Sequence, residues 1–175
     1  MAWTTPATFT SGQILTAAQM NTNVRDNTNA LYDTIRQLGY QTRTTAYTTT
    51  TTVAPGAANI FSTSISWTAL ASTAYLVEFY APSVSTAANA GAFVVVALTT
   101  GTGTAIAYGT QTAFGDGTRG AIAPQFVRYF YTPGAGAASV NVRAYHGTAA
   151  GTVDAGAGGA ALAPMYMAVY GPAIT

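Results

Sequence analysis

The chain has 175 residues, a formal net charge of +1 at pH 7, no cysteine, and charged residues at only 6%. The missing cysteine excludes a disulfide framework and a thiolate metal site, and near-neutrality leaves no basic footprint for nucleic-acid phosphates. A typical soluble domain carries about 25% charge, so a surface this poor in charge predicts that much of it is covered in an assembly.

Residues 1–10 are short and irregular, with Trp3, Pro6 and Phe9 standing among threonines. Pro6 biases Thr5 to an extended conformation. An extended strip with two aromatic anchors reads as a docking peptide, because such residues dominate interface energetics; the alternative is a hydrophobic plug folded onto the helix that follows. The strip has neither the basic start nor the apolar core of a signal peptide.

The next stretch, from Ser11 to Gly39, is the one long helical pattern, and it carries or adjoins five of the eleven charged residues: Arg25, Asp26, Asp33, Arg36 and Arg43. Thr16 with Gln19 has the form of a capping box, which places the helix start at Ala17. Gly39 reads as its stop. Met20, Val24, Leu31 and Leu38 fall at spacings of four, seven and seven, with Asn27 and Thr34 between them and Ile35 on the flank. This narrow apolar seam with polar layers suits a helix that packs against copies of itself, the polar layers setting register and number; an ordinary amphipathic helix lying on the next domain is the other reading.

From Tyr40 the period changes to two. Eight strands are expected: Tyr40 to Val53, Ile60 to Trp67, Ala74 to Val84, Ala92 to Thr100, Thr104 to Phe114, Ile122 to Pro133, Ser139 to Gly147 and Ala163 to Pro172. Tyr75, Val77 and Phe79 fall on one face of the third, with Leu76, Glu78 and Tyr80 on the other. The continuous run AFVVVAL is the pattern of a strand buried on both faces and is far too short to span a bilayer. Strands separated by turn signals, with no helix among them, predict a mainly β fold: an eight-stranded antiparallel, jelly-roll-like sandwich preceded by one N-terminal α-helix. The expected division is 1–39, docking strip and oligomerisation helix, and 40–175, sandwich.

Chemistry has little to work with. The single histidine, His146, reads as a strand-end residue, with a metal shared on a threefold axis as the bolder alternative. The five acids are scattered, and a glycosidase needs two that face one another; Glu78 with Asp154 is a pairing that nothing in the sequence requires. Gly115-Asp-Gly117-Thr-Arg-Gly120 matches G-x-G-x-x-G, but it lies between two strands and opens no helix, so it reads as a hairpin turn. No catalytic residue, cofactor or metal ligand is expected.

The opening WTTPATFTSGQILTAAQMNTNVRDNTNAL resembles a leader found in small structural proteins of tailed bacteriophages. The matching features are Trp3 and Pro6, the Gly12-x-Ile14-x-Thr16-Ala17-Ala18 step, and the Asn21-x-x-x-Arg25-Asp26-Asn27 core. YTPGAGAASVNVRAY and MYMAVYGP are similar to closing strands of sandwich domains in phage fibres and knobs. The resemblance implies a virion structural protein of head-fibre, capsid-decoration or minor tail type, assembled in the host cytoplasm, and supplies no catalytic residue. With the residue-level reading it gives a homotrimer docked on other virion proteins, with neither nucleic acid nor membrane as partner. The rival is a receptor-binding knob whose turns, such as Gly101 to Thr104 or Gly115 to Gly120, contact a host glycan or protein.

Overall fold

Thr16 opens the first helix. Its hydroxyl accepts the Gln19 N–H at 3.2 Å, while its own N–H donates to Gln19 Oε1 at 2.9 Å, so two otherwise orphaned donors are satisfied reciprocally. The computed structural model describes residues 12, 14, 16–28, 36–109, 118, 122–154 and 163–172. Helix α1, Ala17–Met20, passes directly into a π-helical segment, Asn21–Asp26. The wider π turn upsets the 3.5-residue spacing on which the seam rests. Met20 and Val24 are exposed, whereas the polar Asn27 is buried. Leu31 and Ile35 lie outside the described residues.

The helix does not reach Gly39. Strand β1, Gln37–Arg43, already includes Leu38 and Gly39, so Leu38 is a strand residue packed against the core and not a seam residue. The expected division between Gly39 and Tyr40 falls inside this strand. Gly39 serves close approach instead of helix termination: a Cβ there would run into the Ile65 Cγ2 methyl.

Among the described residues ten strands form where eight were expected. After β1 come β2 (Tyr47–Thr48), β3 (Ile65–Ala69), β4 (Tyr75–Ser85), β5 (Val94–Thr100), β6 (Ala105–Tyr108), β7 (Ile122–Tyr131), β8 (Gly136–His146), β9 (Thr152–Asp154) and β10 (Met165–Tyr170). One extra strand arises because the first expected strand is interrupted, and the other lies upstream of the last expected strand. Between β1 and β2, Arg43 turns inward on the break, donating from Nε to the Thr45 carbonyl and from a terminal nitrogen to the Ala46 carbonyl, both at 2.8 Å. β9 arises inside the Gly/Ala-rich connector.

One sheet has the order β1-β10-β4-β9-β2, with β7 on β4; the other is β3-β8-β5-β6, and every pairing is antiparallel. β10 takes Leu76–Tyr80 of β4 and β9 takes Ser83–Ser85, so these two share one edge of β4 and β7 takes the other. Counting β1 with β2, and β9 with β10, as one strand each, the layers read 1-8-3-6 and 2-7-4-5, the jelly-roll-like order of two wound Greek keys.

The core lies between the layers. Val77, Phe79, Met167 and Val169 of one sheet meet Val94, Val96, Leu98, Val140 and Val142 of the other. β5 is buried from Val94 to Leu98, as its unbroken apolar run requires. Phe61, edge-on to Phe79 at 6.2 Å, enters this core from the loop before β3. Asn141, fully buried, holds that loop: its Nδ2 donates at 3.2 Å to the carbonyls of Phe61 and Thr63 and to Ser64 Oγ, and its Oδ1 accepts from the Phe61 and Val142 N–H groups. The two layers and their pinned loop leave the outer face of the β4 sheet as a broad exposed platform.

Candidate functional site

Side chains alternate across a strand, so the residues of β4 that do not enter the core, Leu76, Glu78 and Tyr80, point outward. Strand register then fixes their neighbours in three rows. Thr42, Tyr166, Tyr80 and Phe126 form the first row. Tyr40, Ala168, Glu78 and Arg128 form the second. Tyr170, Leu76 and Phe130 stand in the third. Six of these eleven side chains are aromatic, and the middle row holds a pair of opposite charges.

That pair is short. Arg128 Nε lies 2.6 Å from Glu78 Oε1. Glu78 is only 8% exposed, while the Arg128 side chain is 58% exposed. The carboxylate thus sits within the platform and the arginine lies over it from the edge strand, so the two charges cancel locally. Beside them Tyr40 stacks on Tyr166 with centroids 5.7 Å apart, and Tyr80 lies on the other side of Tyr166, also at 5.7 Å. Burial pushes the Tyr166 hydroxyl above the usual tyrosine range, and the Glu78 carboxylate pushes it the same way. Burial and then Glu78 also raise Tyr170, against an opposing influence of Arg128.

Among the described residues β7 is the edge of this sheet, pairing only with β4. Edge strands are usually guarded by charge, prolines or bulges. Here Pro124 and Arg128 are the guards, and the outward positions otherwise hold Ile122 at 74%, Phe126 at 53% and Phe130 at 67% exposure. Where β7 outruns the four-residue β6, the side of the sandwich opens into a cleft of about 450 Å³. It is lined by Thr100, Thr104, Ile106, Tyr129, Tyr131 and Thr132, with no charged group on its walls.

Arg143 and His146 serve the frame. Arg143 donates from Nε to Asn59 Oδ1 at 2.9 Å and reaches the Gly56 carbonyl at 3.3 Å. His146 ends β8, with Nδ1 2.8 Å from Thr49 Oγ1; that hydroxyl also accepts the Gly151 N–H and donates to the Gly151 carbonyl, so His146 helps to tie β8 to the start of β9. Glu78 faces Arg128, not Asp154. Among the described residues no group of three or more histidine or acidic residues stands where it would hold a metal ion, and no helix is long and apolar enough to cross a membrane.

Of the residues singled out in the sequence, Trp3, Pro6 and Phe9 lie outside the described residues, as does all of the Gly115 to Gly120 turn but Thr118. The outer aromatic face was not anticipated as a unit. Its signal was the alternation in IAPQFVRYFY, where large apolar residues occupy positions that a solvated strand would give to polar ones.

No family model matches the chain, and no curated protein matches it. Among solved structures, the chain is similar to the infectious bursal disease virus Gt strain structure, at 16% identity over 81% of this chain and 38% of that one, with a TM-score of 0.33. The infectious bursal disease virus VP2 subviral particle gives 14% over 81% and 38%, with a TM-score of 0.32. A carbohydrate-binding module from Cellvibrio mixtus lichenase 5A, in complex with cellotriose, gives 15% over 79% and 92%, with a TM-score of 0.27. The chain therefore spans under two-fifths of the length of the viral proteins, and likeness at these scores carries no argument about function.

Proposed function

We propose that this chain is a non-enzymatic structural component of a bacteriophage virion: a trimeric decoration or fibre protein, attached to capsid or tail through its N-terminal segment with Trp3, Pro6 and Phe9 as anchors. The observation that carries the reading is the outer face of the β4 sheet. A free monomer that exposes Phe126, Phe130, Ile122 and Tyr40 on one platform, with its one charge pair internally neutralised, has a surface suited to burial in an assembly. The leader resemblance, from Trp3 to Leu31, supplies the kind of assembly. Mass spectrometry of gradient-purified particles tests it: the chain is expected at a fixed copy number per particle, and a chain found only in the lysate and never on particles rejects it.

A second reading, a receptor-binding knob, is favoured by the cleft beside β6. It adjoins the Gly101 to Thr104 turn and combines tyrosine rings with threonine hydroxyls and no charge, a lining suited to a neutral host glycan. Binding of purified chain to host cell-wall polysaccharide, abolished by Tyr129→Ala, distinguishes it.

A further inference from the structure

We infer that the outer face of β7 and β4 is where copies of this chain meet, with Phe126 and Phe130 at the centre of the contact. This deepens the trimer reading above and rests on it; what it adds is the surface and its chemistry.

The area fits. Taking roughly 200 Å² for each large side chain, the exposures of Ile122 (74%), Phe126 (53%), Phe130 (67%) and Tyr40 (49%) leave about 400–500 Å² of side chain in water. A standard interface takes about 800 Å² from each partner, of which a little over half is apolar. The platform supplies one partner's apolar share.

The charge pattern selects the same occupant. A partner recognised by charge needs an unpaired charge to answer, and complementary potentials are how such partners are steered. Here the two charges of the middle row already satisfy one another at 2.6 Å. A face whose central charges are already paired can converge with its copies around a threefold axis without repulsion there. Its row of Tyr80, Tyr166 and Phe126 gives the rings that dominate interface energies. The ten-residue β7 edge, guarded only by Pro124 and Arg128, needs such cover. The apolar Met20 and Val24, exposed on the N-terminal helix, add a second patch that the same association can shield.

The test uses the full chain. Multi-angle light scattering should find a trimer at micromolar concentration, and Phe126→Ser with Phe130→Ser should weaken association by about 30-fold or more while the folded monomer keeps its circular dichroism spectrum. Hydroxyl-radical footprinting of the unaltered oligomer supplies a reading that depends on no variant: Phe126 and Phe130 should be protected. A double variant that stays trimeric over the same concentration range, or rings that label freely in the oligomer, overturns this inference and leaves the trimer standing. Rings protected only on the particle assign the face to another virion protein and also overturn it. An unaltered chain that is monomeric throughout removes the trimer reading and this inference together.

Discussion

Glu78 and Arg128 face one another across β4 and β7, 2.6 Å apart, in the middle row of the outer sheet face. The carboxylate is nearly buried and the guanidinium half exposed, so the two sides of the pair respond differently to loss. Removing Arg128 leaves a buried carboxylate without its partner, which costs about 1–3 kcal/mol; removing both charges costs less, because the desolvation is relieved as well. In a double-mutant cycle by urea unfolding, Arg128→Ala is expected to destabilise more than Glu78→Gln with Arg128→Ala together. Equal losses would mean that solvent around the exposed arginine already screens the pair.

Asn141 joins β8 to the loop that delivers Phe61 to the core. Asn141→Leu removes the partners of the Phe61 and Thr63 carbonyls, and buried groups left unpaired cost about 1–3 kcal/mol each. A fall in melting temperature of roughly 5–10 °C is expected for a chain of this size. A change of under a degree would show that water replaces the side chain.

Gly39→Ala tests the close approach of β1 to β3. The new methyl meets Ile65 Cγ2, and overpacking of this kind costs about 1–3 kcal/mol. Gly39→Ala combined with Ile65→Ala should lose less than the sum of the two single changes. Strict additivity would show that the two positions do not touch.

Each expected strand overlaps an observed one, because glycine, proline and asparagine punctuate runs of β-branched residues, but Ile60 to Ser64 of the second lie in the loop before β3. β5 was the clearest, since five successive buried positions leave no alternation to misread. The helix end was not legible. Leu38 continues a seven-residue spacing, yet pairing between β1 and β10 claims it for the sheet, and that partner lies over 120 residues away. β9 offers only Val153 as an apolar signal. The outer face was half legible: alternation grouped Leu76, Glu78 and Tyr80, but nothing local shows that β7 brings Phe126 and Phe130 beside them. That follows from strand order, which is set by the whole sandwich.

Alkaline pH should loosen the fold. Tyr47, Tyr145, Tyr166 and Tyr170 all have hydroxyls raised by burial above the ordinary value of 10.0. Below pH 10 folded and unfolded chains are both protonated at these sites, and the stability is fully present. As pH rises past 10 the unfolded chain releases these protons first, so stability falls through the raised folded values. Denaturation midpoints measured from pH 8 to 11 should be flat and then decline; a midpoint that rises above pH 10 contradicts the burial of these rings.

Attachment to the particle is the most direct test. On the proposed docking role, Pro6 between Trp3 and Phe9 is expected to lower the entropy lost on docking, and a tryptophan anchor is expected to contribute about 2 kcal/mol or more. Several copies per oligomer multiply the effect through effective concentration. Purified chain would be added to virions that lack it, and the amount sedimenting with the particles measured for the unaltered chain and for Trp3→Ala. The unaltered chain should sediment to saturation, while Trp3→Ala should remain in the supernatant as an intact trimer. An unaltered chain that stays in the supernatant at every concentration contradicts a virion role, and a Trp3→Ala chain that sediments at full occupancy moves attachment to the β sandwich.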